Sequence, residues 1–193
     1  MDDSTSEHRR ARELHDVAVA AWLSDTAGDD VESERYVLAS AAAIGKTVGG
    51  QAAMRRPLNW AKALLAYEAW ALERGVTPRE NSRLRSTVPQ DERHLGEWAR
   101  YQRRHETNLT PFQRARLDAS PVFAWDLLED AWWRQSDEVV KFVMERGRLP
   151  ALRQADQAEF ALARWLNRQL GSLRRGTLPS SRARRLEEVI AHR

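Results

Sequence analysis

Residues 73–78 read Glu-Arg-Gly-Val-Thr-Pro and residues 145–150 read Glu-Arg-Gly-Arg-Leu-Pro, one ERGxxP string written twice at an offset of 72. Upstream, Trp60 falls on Trp132 at the same offset. Downstream the offset drops to 67 and matches Leu95, Trp98 and Gln102 with Leu162, Trp165 and Gln169. It then becomes 69, where LTPFQRARL (109–117) overlays LPSSRARRL (178–186) and pairs Leu109, Arg116 and Leu117 with Leu178, Arg185 and Leu186. Each change of offset falls between apolar-periodic segments, where insertions are tolerated. The pattern predicts two copies of a three-helix unit joined near Trp125-Asp126.

Apolar residues recur at three- and four-residue spacing and β-branched clusters are scarce, so the fold class expected is all-α. Helices are expected near 7–24, 32–48, 58–74, 94–106, 111–119, 126–146, 158–171 and 180–191. Thr110-Pro111-Phe112-Gln113 offers an N-cap, a proline at the first helical position and a Gln placed to close a capping box. Gly75 and Gly147 are placed to stop the helices before them.

A helix opening near Trp60 and ending at a Gly-x-x-Pro turn, then LGEWARYQRR, then LTPFQRARL and a closing Phe123-x-Trp125, resembles the helicase-associated domain family. The resemblance covers about residues 58–193, with LGEW replaced by LARW in the second copy. It implies tandem three-helix bundle modules, 58–125 and 126–193; residues 1–57 lie outside it and read, from their charge and periodicity, as an acidic helical N-terminal region. It also implies nucleic-acid binding, and association with a helicase or another nucleic-acid-processing protein.

The chain has 193 residues, 42% of them apolar, with eight Trp and no Cys. That length can bury a core without staples, and the missing cysteines exclude disulfides, thiolate catalysis and Cys-bound zinc. No apolar stretch approaches the roughly 18 residues of a membrane span, and MDDSTSEHRR lacks a signal-peptide core. A cytoplasmic protein without membrane contact is expected. The net charge of +3 is unevenly spread: residues 1–54 carry −5 and residues 55–193 carry +8. Between Glu159 and Glu187 stand seven arginines and no acid, a bias that suggests an anionic partner.

Two strings imitate a motor enzyme. Ile44-Gly45-Lys46-Thr47 ends like a phosphate-binding loop, but Ser40 stands where the first glycine is needed and the context reads as helix. Asp91-Glu92-Arg93-His94 spells DExH, but follows a turn, Ser-Thr-Val-Pro-Gln, where a motor has a buried strand. Lys46 is read as a helix-end cation and 91–94 as loop and cap. His8, His15, His94, His105 and His192 include no pair at metal-binding helical spacing and are expected in solvent. Asp25, Asp29, Asp30, Glu32 and Glu34 lack the register of a calcium loop and read as a helix N-terminal bias. No enzymatic activity, cofactor or metal is expected.

The candidate site is therefore a set of arginines. Leu95, Trp98 and Gln102 share one helical face, while Arg100, Arg103 and Arg104 project from another. In the second copy Arg164, Arg168 and Arg175 follow a parallel stripe if the helix runs past Gly171, with Arg174 beside it. Arg114, Arg182 and Arg184 add charge on the third helices, whereas Arg116 and Arg185 lie beside a core Leu and suit a structural role. A guanidinium fork fits phosphate oxygens and stays charged at any working pH, so a nucleic-acid backbone is the expected partner; DNA is put ahead of RNA, a choice that the arginines do not make. Trp60, Trp98, Trp132 and Trp165 are expected in the core. The alternative is a protein-interaction or regulatory adaptor with the repeats as scaffold, which expects an exposed apolar patch near the N-terminus and arginines paired with acids. Residues 1–54 could also shield the basic modules, in which case their deletion would tighten binding.

Overall fold

Gly75 and Gly147 adopt left-handed backbone, φ 66° and 63°, and each terminates a 20-residue helix, a conformation that favours glycine because no Cβ meets the carbonyl oxygen. In the computed structural model, which describes residues 3–25, 30–45, 54–80, 87–152 and 156–191, the helices follow in chain order. They are α1 (Asp3–Asp25), α2 (Val31–Ala43), α3 (Arg55–Arg74), α4 (Gln90–Arg104), α5 (Pro111–Asp118), α6 (Leu127–Arg146), α7 (Gln157–Arg174) and α8 (Ser180–Ala191). A 3-10 turn, Glu106–Asn108, precedes α5. The described residues contain no strand, and the fold is all-α.

Local chemistry sets most boundaries. The Thr110 hydroxyl accepts the Gln113 N–H at 3.2 Å while the Gln113 side chain accepts the Thr110 N–H at 3.1 Å, a closed capping box. Asp30 caps α2 by accepting the Ser33 N–H, and Asp126 caps α6 through the Leu128 and Glu129 N–H groups. Burial works against ionisation of Asp30, but the Ser33 hydrogen bonds prevail and its pKa lies below the usual aspartate value. Five boundaries lie three or more residues from expectation: α1 starts at Asp3, α3 starts at Arg55, α7 ends at Arg174, and the other two bear on the enzyme-like strings. α4 starts at Gln90, so Asp91–His94 form its first turn, where acids suit the positive helix end. α2 stops at Ala43, and Lys46 and Thr47 lie outside the described residues.

The chain divides into two compact units, Met1–Trp125 and Asp126–Arg193. In the first, α1 and α2 lie against α5, α2 also lies against α3, and the core gathers Trp22, Tyr36, Trp60, Leu64, Tyr67, Phe112 and Leu117. The described helices of the acidic region 1–57 thus share one core with α3–α5. Polar groups knit them: Ser33 Oγ accepts the Phe112 N–H at 3.1 Å, and His15 Nδ1 lies 3.0 Å from Ser40 Oγ. His15, expected in solvent, is 4% exposed, because α1 turns it toward Phe112 and Ser40. Deleting residues 1–54 removes the buried Ile44 and Met54, apolar side chains each worth about 1.5–3 kcal/mol, together with Trp22 and Tyr36. Against a typical folding margin of about 5–15 kcal/mol, the truncation perturbs the core as well as any electrostatic shield. The second unit is built from α6, α7 and α8 around Trp132, Val139, Val143, Leu166, Leu186 and Val189.

Arg116 is 1% exposed and forks onto Glu68, itself 4% exposed, with contacts of 2.8 and 2.7 Å. The pair joins α5 to α3 inside the first unit. Removing one partner strands the other without water, whereas removing both leaves a void that apolar groups fill. Glu68→Leu alone should therefore destabilise the protein by about 3–5 kcal/mol, and Glu68→Leu with Arg116→Met should recover most of that loss. Urea unfolding followed by circular dichroism measures both; an unchanged midpoint for the single variant would show that the pair is dispensable.

Candidate nucleic-acid interface

The rotation of α4 and α7 decides which arginines reach solvent. Trp60 Nε1 donates to Gln102 Oε1 at 3.0 Å, and Trp132 Nε1 donates to Gln169 Oε1 at 3.0 Å. Trp98 packs on Trp60 with ring centres 6.4 Å apart, and Trp165 on Trp132 at 5.5 Å. A second contact recurs at Glu92 and Glu159, which match at the offset of 67. Glu92 accepts the Arg79 N–H at 3.0 Å and the Arg79 guanidinium at 2.7 and 2.9 Å. Glu159 accepts the Ala151 N–H at 2.8 Å and the Arg148 guanidinium at 2.6 and 3.0 Å. Carboxylate and amide occupy matching positions, but the arginine comes from either end of the turn. Gly96 belongs to this contact in the first unit, since a Cβ there would lie 2.4 Å from the Arg79 carbonyl oxygen. Its counterpart is the buried Ala163.

With the inward faces set, four of the ten candidate arginines prove to be engaged within the fold. Arg103 is 13% exposed, donates to the Ala124 carbonyl and to Glu80 at 2.8 Å, and lies over the Phe123 ring at 4.9 Å. Arg100 reaches the Glu80 carbonyl at 3.5 Å. Burial raises the pKa of Glu80, with Arg103 and then Arg100 opposing it. Arg114 pairs with Glu106 and, at 3.6 Å, with Asp118, while its guanidinium covers the Trp125 ring. Arg182 pairs with Glu129 and lies 5.0 Å over the Trp132 ring. The side-chain hydrogen bond from Arg182 is the main cause that holds Glu129 below the usual glutamate value.

The other six are exposed. Arg104, Arg168, Arg174 and Arg184 make no ion pair or hydrogen bond among the described residues, and Arg175 makes only a local bond to Ser172 Oγ at 3.2 Å. Arg164 rests over the Phe160 ring at 5.8 Å without an acidic partner. α7 does run past Gly171, to Arg174, so Arg164 and Arg168 lie one turn apart on a continuous helix that leads to Arg174 and Arg175. Five of these six exposed candidates belong to the second unit, on or just after α7 and on α8. Arg185 and Arg116 are structural: Arg185 bonds Ser136 and Asp137, the latter at 2.6 Å.

The remaining motifs are absorbed by the fold. Glu92 is 7% exposed and saturated by Arg79, which leaves the DExH look-alike no open carboxylate pair. No group of three metal-ligating side chains occurs among the described residues, and no described helix is long and apolar enough to cross a membrane. Trp60 and Trp132 are buried, Trp98 and Trp165 pack on the same cores, and Trp133 is half-buried with its indole N–H on Glu129 at 2.7 Å. His94 is exposed, His105 is half-buried, and His192 lies outside the described residues. No family model, curated protein or solved structure matches the chain.

The Arg79 hydrogen bonds are the main cause that lowers the pKa of Glu92, against the opposing effect of burial. A carboxylate depressed in the folded state binds fewer protons there than in the unfolded chain, so its contribution to stability is present above the unfolded value of about 4.3. That contribution disappears as pH falls through the lower folded value. Glu92→Gln should lower the urea midpoint at pH about 7 and flatten its decline below pH about 4.3. Urea titrations at stepped pH check this, and parallel declines for the two proteins would contradict it.

Proposed function

We propose that the protein is a non-enzymatic nucleic-acid-binding protein that neutralises phosphates with the exposed arginines of α7 and α8. One observation carries this reading: Arg164, Arg168, Arg174 and Arg184 are exposed and free of acidic partners, in a stretch, 160–186, that contains no acid. An arginine already bidentate to a carboxylate must break that pair to take a phosphate, whereas a solvated one exchanges only water and counterions. On this reading α3–α4–α5 and α6–α7–α8 are two copies of the helicase-associated three-helix design, supported by the matching Trp–Gln and Glu–amide bonds. DNA in preference to RNA is the proposed partner, with affinity that is salt-dependent and largely indifferent to sequence.

The adaptor reading has its own support in the first unit. Val17 and Leu23 are 57% and 61% exposed on α1, and Arg103, Arg114 and Arg116 are all paired with acids. A cleft of about 310 Å³ between α1, the end of α2 and α3, with Leu14, Ile44, Leu65 and Leu72 in its walls, adds apolar surface there. These features belong to the first unit and do not involve the exposed arginines of the second.

Fluorescence anisotropy with unrelated duplex and single-stranded oligonucleotides at about 50 and 200 mM salt separates the two. Binding should weaken steeply with salt. Arg164→Ala with Arg168→Ala should reduce the slope of log affinity against log salt by about 2, one unit for each phosphate contact removed, while the already paired Arg114→Ala should change it little. Absence of binding at the lower salt would overturn the nucleic-acid reading and leave the adaptor.

A further inference from the structure

Tyr101 stands on the outward side of α4, next to Gln102, which the Trp60 indole holds inward. The tyrosine is 54% exposed. Its ring centre lies 4.2 Å from that of His105 one turn on, with the planes 42° apart. His105 therefore flanks the phenol ring and limits its rotation, while more than half of the residue stays in solvent. Arg104, three residues from Tyr101 on the same exposed surface, carries no ion pair among the described residues. Glu106, two residues further on, is bound to Arg114 and does not compete for it. At the matching position of the second unit stands Arg168, a cation where the first unit has a ring.

We infer that the Tyr101–His105 pair, with Arg104, is a base-stacking platform for single-stranded nucleic acid. The inference rests on the nucleic-acid reading above and narrows its substrate. A braced, half-exposed aromatic ring beside a free guanidinium matches one nucleotide, the base against the ring and its phosphate on the cation. In a duplex the base faces are already covered by their neighbours, so the ring has nothing to take. In a single strand each base presents a π-face, and stacking tolerates any sequence. The phosphate contact alone would be served as well by an aliphatic neighbour; the ring adds recognition of an unpaired base.

The test uses the full chain with three fluorescent probes: a thymidine homopolymer, an abasic strand of equal length and charge, and a mixed-sequence duplex. Wild-type protein should bind the homopolymer about tenfold tighter than the abasic strand, the gain of one stacked base. Tyr101→Ala should erase that preference and leave duplex binding unchanged, and Tyr101→Phe should keep it. An exposed position leaves the core intact, which circular dichroism verifies for each variant. If Tyr101→Ala retains the preference, or if wild type shows none, the platform is overturned while duplex binding still supports the broader reading. Failure to bind any of the three probes overturns both.

Discussion

An indole N–H donated to a glutamine side-chain oxygen holds the rotation of α4 against α3 and of α7 against α6. Trp60 and Trp132 are 8% and 6% exposed, so an unpartnered donor there would be costly, and a hydrogen bond of 3.0 Å is directional in a way that apolar packing is not. Turning α4 or α7 by one residue would leave the indole unsatisfied and carry the outward side chains into the core. The exposure of Tyr101 and Arg104, and of Arg164 and Arg168, follows from that lock. Glu92 and Glu159 add a second point of attachment by tying the start of each helix to the turn after the ERGxxP string.

The same residue type has opposite roles in the two units because their surroundings differ. Arg116 and Arg185 hold matching positions, yet Arg116 is 1% exposed and Arg185 is 28% exposed. In the first unit α1 and α2 cover α5, which removes water from Arg116 and leaves Glu68 as its partner. Within the second unit no described helix covers α8 in that way, and Arg185 spreads its contacts over Ser136 and Asp137 at the edge. Fully buried, the pair trades desolvation against attraction; at the edge, water screens most of the interaction.

This division of labour frames the proposed function. On α4 and α5 of the first unit Arg103, Arg114 and Arg116 are bound to Glu80, Glu106 and Glu68, while Arg104 stays exposed beside an aromatic ring. The second keeps most of its arginines in solvent. A phosphate-binding surface needs cations whose only competitors are water and counterions, and α7 meets that condition.

Much of the architecture was legible in the sequence. The ERGxxP repeat, the capping box at Thr110 and the stops at Gly75 and Gly147 all arise from contacts within a few residues, so periodicity and spacing carry them, whereas α7 runs past its expected end at 171 to Arg174. Glu92 was readable too, as a match to Glu159 at the offset of Leu95 and Leu162, but the DExH resemblance drew it into a different frame. His15 was not readable: its burial depends on Ser40 and Phe112, distant in sequence. By itself the sequence determined the helices, the repeat and the inventory of arginines, because backbone hydrogen bonding and side-chain periodicity are local. Only the tertiary structure decided which arginines are free. Arg103 finds Glu80, Arg116 finds Glu68 and Arg182 finds Glu129 across 23, 48 and 53 positions of chain, and an ion pair depends on distance in space, which spacing along a helix does not report.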